Sequence, residues 1–128
     1  MNNAEKRKAT PVYRGVIKYF PLALQEVARC SFIANEQHNP GTEMHWDRAK
    51  SGDELDALAR HLIDAGTFDD DGIRHSAKVA WRALANLEKE LEKANESESA
   101  RKADSPAARL QPAGNTFTLD EYIRNQGS

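Results

Sequence analysis

From Ile73 to Ala94 apolar residues recur in alternate steps of four and three, at Ile73, Ala77, Ala80, Leu84, Leu87, Leu91 and Ala94. Only a helix brings those positions onto one seam, and such a seam needs neighbouring helices to cover it. Leu55, Leu58, Ala59 and Leu62 repeat at i, i+3, i+4 and i+7, which predicts a second helix that buries its leucine face. Ser51-Gly52-Asp53-Glu54 has the form of a capping box and predicts the start of that helix, and Gly66 is placed to end it. Further back, Pro21 suits the first turn of a helix running to about His38, with Leu24, Val27, Ala28 and Ser31 at helical spacing. Thr10-Pro11 reads as an earlier helix or turn start, Asn39-Pro40-Gly41-Thr42 opens a loop reaching about Lys50, and Asp69-Asp70-Asp71-Gly72 forms a turn before the last helix. With no strand-period run and no glycine-rich phosphate loop, the expected fold class is all-α, a helical bundle of about four helices. A chain of 128 residues buries only a modest core, so completion by dimerisation is expected.

The ends read differently from the middle. Residues 1–9 are polar and are expected to form a flexible N-terminal tail, with the helical domain spanning 10–94. Residues 95–128 read as a linker and short C-terminal docking segment, because from Asn95 the chain has almost no large apolar residues to offset the entropy of ordering. Beyond it Thr118-Leu119-Asp120-Glu121 repeats the capping-box pattern, and Phe117, Leu119, Tyr122 and Ile123 could dock on a neighbouring subunit. A net charge of -2 and 39% hydrophobic residues describe an ordinary soluble protein and argue against polymeric nucleic acid as a partner. No apolar run is long enough for a membrane span, no signal region follows the N-terminus, and a single cysteine, Cys30, forms no internal disulfide. The expected location is the cytoplasm.

Several side chains could carry chemistry. On a wheel of about 100° per residue, Asp53, Asp56, Arg60 and Asp64 form one stripe beside the leucine face. Paired carboxylates on a bundle helix suit Mg²⁺ or Mn²⁺, which take oxygen ligands from several helices, and Glu26 and Glu36 could supply the opposite wall. A charge complementing the helix dipole at Asp53 and an ordinary Asp56–Arg60 pair account for the same residues without a metal. His75, Lys78 and Arg82 share one face of the long helix, either as a polyphosphate clamp or as a solvated charged stripe. Trp46 could stack on a base or cover the core. Among His38, His45, His61 and His75 no pair has a recognised short zinc spacing, and His61 could simply orient other groups.

The order Pro21, Leu24, Glu26-Val27-Ala28, His45-Trp46, Asp56-Ala57, Arg60-His61, Asp71-Gly72 and His75 resembles the phage dATP/dGTP diphosphohydrolases. These form a branch of the MazG-like all-α nucleotide pyrophosphohydrolases, and the likeness covers about residues 10 to 93. It implies an enzyme that converts dGTP, with dATP or GTP as further substrates, to the monophosphate and pyrophosphate in the cytoplasm of an infected host cell. It also implies two or three Mg²⁺ or Mn²⁺ ions and a homodimer or homotetramer. The family pattern places E-x-x-E on one helix and E-x-x-D on the next. Here Asp53-x-x-Asp56 stands for the second element, whereas Glu26-x-x-Arg29 lacks the second acid of the first and Glu36 must substitute. The resemblance thus implies Glu26, Glu36, Asp53 and Asp56 as metal ligands, with Glu26, Asp53 and Asp56 catalytic. Lys78, Arg82, Trp46 and His75 would bind the substrate. Two other readings compete: a non-enzymatic helical phage protein binding a host factor, and a nucleic-acid-binding bundle using Arg7, Arg14 and Lys18.

Overall fold

Pro21 fixes where the first long helix begins, since its missing N–H is one that a first turn leaves unbonded in any case. In the computed structural model, which describes residues 1–50 and 52–103, that helix is α2. Among the described residues there are four α-helices: α1 (Asn3–Lys8), α2 (Pro21–His38), α3 (Glu54–Ile63) and α4 (His75–Ala103). A π-helical segment, Tyr13–Ile17, precedes α2, and one 3-10 turn, Arg48–Lys50, precedes α3. Among the described residues there is no strand, only an antiparallel bridge between Phe68 and Arg74. The all-α reading is correct. No helix among the described residues is long and apolar enough to cross a membrane.

The chain divides into two compact units. The first contains Met1–Ala9 and, of the described residues, 88–103. Residues 1–9, expected to be a tail, form α1 under a capping box in which Asn2 Oδ1 accepts from the Glu5 amide (2.8 Å) and Glu5 Oε2 accepts from the Asn2 amide (3.1 Å). Residues 95–103, expected to be linker, continue α4. Their Glu, Lys, Ala and Ser content sustains a helix by intrinsic propensity and by pairs such as Lys102–Glu98 at 3.2 Å, without burial. The docking segment lies outside the described residues.

The second unit, Thr10–Leu87, holds a small core in which Cys30, Ile73 and Ala77 are buried and Ile33 and Trp81 pack against them. Cys30 is the small buried apolar group expected, and burial pushes its thiol pKa up. The α4 seam is covered only at its beginning: Ile73 is 0% exposed, whereas Leu84, Leu87 and Leu91 are exposed. α3 departs further from expectation. Its inward positions are Glu54, Ala57, Leu58 and His61, while Leu55 and Leu62 face outward at 61% and 56% exposure. The spacing was read correctly as helical, but the leucine stripe is not the side this chain buries.

Asp53 is the N-cap of α3 and makes no side-chain cap bond; Ser51, expected to cap the helix, lies outside the described residues. The Asp53 carboxylate instead accepts from Arg60 Nη2 at 3.2 Å. Gly66, at φ +91°, lets the chain leave α3 in a left-handed conformation that a Cβ would oppose. The turn that follows is held by main-chain bonds from Asp69 to Ile73 (2.8 Å), Gly72 to Asp69 (3.0 Å) and His75 to Thr67 (3.0 Å).

Ile73 is the largest fully buried side chain described and plugs this turn into α2 and α4. Ile73→Ala is expected to cost about 2–5 kcal/mol of stability, read as a fall in the urea midpoint at unchanged slope.

Candidate functional site

The site lies within the second unit, where α2, α3, α4 and the 39–50 loop present polar side chains to one another. Trp81 on α4 donates its indole N–H to Ser31 Oγ on α2 at 2.8 Å, which sets the separation of the two helices. Trp46 from the loop meets Trp81 edge to face, with ring centroids 5.7 Å apart. The Arg48 guanidinium lies 4.2 Å over the Trp46 ring, a cation–π contact that steadies the loop. Asn35, buried on α2, donates from Nδ2 to the Thr42 carbonyl at 3.1 Å, while its Oδ1 is buried with no hydrogen-bond partner. Ser31, Asn35, Trp46 and Trp81 border an open cavity of about 700 Å³ that is also lined by His45, Asp47, Asp53 and Arg82.

A second cavity, of about 190 Å³, adjoins it. The two share Ala34, His38, Trp81 and Arg82, and the smaller one reaches Cys30, His61, Asp71 and Lys78. Arg82 therefore stands at the junction, with Nη1 4.0 Å from the buried Glu54 carboxylate of α3.

The turn between α3 and α4 supplies the strongest electrostatic feature. Lys78 Nζ donates to Asp69 Oδ2 at 2.6 Å and to Asp71 Oδ2 at 2.7 Å, with its side chain 20% exposed. The Lys78 hydrogen bond holds the Asp69 carboxyl below the usual range, aided by the Asp70 amide. Burial alone would raise Asp71, but the bonds from Lys78 and the Ile73 amide outweigh it and bring the carboxyl down. Burial would likewise lower Lys78, yet the two carboxylates prevail and its pKa is raised. Beside this bridge, His61 Nδ1 and His75 Nδ1 are 2.9 Å apart. Burial pushes the His61 pKa down, and repulsion from Lys78 and His75 adds to the effect, which favours the neutral imidazole. His61, Asp69 and His75 each offer a ligand atom, all within 4.8 Å of one another, a grouping compatible with a divalent metal ion.

Of the residues singled out from sequence, Trp46, Asp53, Lys78 and Arg82 line the cavities and His75 adjoins them through His61. Hydrogen bonding to Arg60 lowers the Asp53 pKa and keeps the carboxylate ionised. Glu26 is partly buried and pairs with Arg29 at 3.7 Å, while Glu36 and Asp56 are exposed and line neither cavity. One chain by itself does not gather the four carboxylates. Sequence reasoning missed Asn35, Glu54, Asp69 and Trp81. A usable signal existed for Glu54, which shares helical spacing with Ala57 and His61; none existed for Asn35.

The chain belongs to the dATP/dGTP diphosphohydrolase, N-terminal family, which it matches over residues 1–99. No curated protein and no solved structure matches it. The match bears out the resemblance drawn from the ordered short motifs and reaches back through α1.

The Lys78 bridge sets a pH dependence. Asp69 and Asp71, lowered in the folded protein, contribute stability that is present above their unfolded pKa of about 3.9 and is lost as pH falls through the folded values. Lys78→Met leaves two adjacent carboxylates without their cation, so their pKa values rise above the unfolded one and stability grows on acidification. Urea midpoints between pH 7 and pH 5 should therefore climb in Lys78→Met and stay level or fall in the wild type.

Proposed function

We propose that this protein hydrolyses a purine deoxynucleoside triphosphate, dGTP first, with dATP and GTP as further substrates, to the monophosphate and pyrophosphate. The observation that carries this reading is the pair of adjoining cavities with Arg82 between them: an aromatic one large enough for a nucleoside and a smaller charged one beside it. The base would lie against Trp46 and Trp81, where ring stacking and apolar contact favour a flat aromatic ligand. Asn35 Oδ1, an acceptor already desolvated, would receive an N–H from the exocyclic amine that adenine and guanine both carry.

The triphosphate would run past Arg82, whose planar guanidinium suits phosphate oxygens and stabilises charge developing on the departing pyrophosphate. Lys78 stands behind it, its own charge already met by Asp69 and Asp71. In the reaction, water oxygen bonds to the α-phosphorus, the bond from that phosphorus to the bridging oxygen breaks, and pyrophosphate leaves with the electron pair. Asp53, ionised beside Arg60 and lining the larger cavity, would accept the water's proton.

The family implies Mg²⁺ or Mn²⁺. Such ions usually bind through one or two carboxylates together with the substrate's phosphates, and Asp53 and Asp47 on the cavity rim suit that role. When bound, the ion neutralises phosphate charge and lowers the pKa of water. Glu26, Glu36 and Asp56 remain proposed ligands that a second copy or the bound nucleotide would have to bring in. A count of two or three ions rests on the family resemblance alone. So does action in the cytoplasm of an infected cell.

A homodimer or homotetramer is part of the proposal. Leu55, Leu62 and Ile63 lie outward on α3 at 61%, 56% and 85% exposure, in a unit with few buried apolar residues, and a second copy would cover them.

Pyrophosphate release with Mg²⁺ or Mn²⁺, compared across the four deoxynucleoside triphosphates and GTP, tests the activity. Release should be highest with dGTP, stop with chelator, fall about 100-fold in kcat/KM for Arg82→Ala and about tenfold for Asn35→Leu with purines. No release from any nucleotide would sink the reading. Light scattering should give an oligomer for the wild type and a monomer for Leu62→Glu; a monomeric wild type would remove the assembly claim.

A further inference from the structure

We infer that His61, Asp69 and His75 form a binding site for a single transition-metal ion of the Zn²⁺, Mn²⁺ or Co²⁺ class, separate from the Mg²⁺ or Mn²⁺ that would accompany a nucleotide at Asp47 and Asp53. The inference stands on the geometry of these three side chains and does not depend on the proposed hydrolysis.

The two imidazoles meet through the same ring atom. Nδ1 of His61 and Nδ1 of His75 lie 2.9 Å apart, with ring centroids 5.2 Å apart and planes inclined by 33°. Two neutral imidazoles can share that contact only if one presents a protonated Nδ1 and the other a bare one. Replacing the shared proton by a cation satisfies both lone pairs. Ligands about 2.1 Å from one ion stand about 3.0 Å apart at a right angle and about 3.4 Å apart at the tetrahedral angle, so the pair matches neighbouring donors of a six-coordinate ion and reaches a tetrahedral one by opening about 0.5 Å.

The third donor is held in place by groups that are not ligands. Asp69 Oδ1 accepts from the Asp70 amide at 2.8 Å and Oδ2 from Lys78 at 2.6 Å, which fixes the carboxylate plane while leaving a lone pair on each oxygen. Asp69 and Asp71 together carry two negative charges against one positive charge on Lys78, so the bridge beside the histidines keeps a balance of -1 that favours a cation. All three ligand residues are partly buried, so their desolvation on binding is incomplete and the ion retains open positions for water or an anionic oxygen.

The donor chemistry selects the ion. Two nitrogens and one oxygen suit Zn²⁺, Mn²⁺, Co²⁺ or Fe²⁺, whereas Mg²⁺ prefers oxygen ligands and keeps its own waters. The spacing of the ligands in sequence does not reveal the site, because His61 closes α3 and His75 opens α4. It is the turn bonded from Asp69 to Ile73 and from His75 to Thr67 that folds them together.

The probe is Co²⁺ added to the full chain, free of any affinity tag and without nucleotide, followed by its visible absorption and by calorimetry. One equivalent should bind at this site, Zn²⁺ should displace it at equal concentration, and Mg²⁺ in large excess should not. His61→Ala and His75→Ala should each weaken binding at least about tenfold with an unchanged far-ultraviolet circular dichroism spectrum. Asp69→Asn keeps the shape of the carboxylate and should also weaken it, and His45→Ala, at a histidine of the other cavity, should leave it intact. Absence of stoichiometric binding, displacement by Mg²⁺, or full binding in both His61→Ala and His75→Ala would overturn the site. Because nothing in the measurement requires hydrolysis, a failure here leaves the proposed activity standing, and an inactive protein that binds Co²⁺ this way would still support the site.

Discussion

The double hydrogen bond from Lys78 to Asp69 and Asp71 is the contact on which the rest of the site depends. It joins the first full turn of α4 to the connection leading out of α3, and it does so with little exposure to water, where charge-assisted bonds are strongest. Asp71 passes the constraint on through the Ile73 amide, which seats the largest wholly buried side chain among the described residues. Asp69 passes it to the Asp70 amide and towards the two histidines. Core packing and site geometry thus share one anchor.

The orientation of α3 follows from a similar economy of contacts. The helix turns Glu54, Ala57 and His61 towards α4 and leaves most of its leucines outside, which is the reverse of a free-standing amphipathic helix. A buried carboxylate is costly unless matched, and Arg82 from α4 supplies the matching charge. The interior of this unit is accordingly used for polar chemistry, and much of the apolar surface is available for contact with another molecule.

How much of this could be read from the chain alone varied with how local each signal was. Pro21, Gly66 and the alternate steps from Ile73 onward act over a turn or two, and the helices they predict are present. Periodicity reveals that α3 has a leucine stripe, but it cannot say on which side of the helix the covering surface lies. The extension of α4 to Ala103 is hidden for another reason: low hydrophobicity points to a linker, although the same residues are good helix formers. Trp46, Arg82 and Lys78 stand out in the sequence because few residue types can hold a base or a phosphate, and the structure sets all three on the cavity walls. The pairing of His61 with His75 does not stand out, since it depends on the course of a turn rather than on any repeat.

One last property belongs to Lys78. An amine attacks acyl groups, aldehydes and other electrophiles only through a free lone pair, and the two carboxylates that raise the Lys78 pKa keep that pair protonated. This lysine is therefore a fixed positive pole rather than a reagent, disfavoured for acetylation and Schiff-base formation by the bonds that hold its proton. The most strongly held amine of the site is chemically its quietest group.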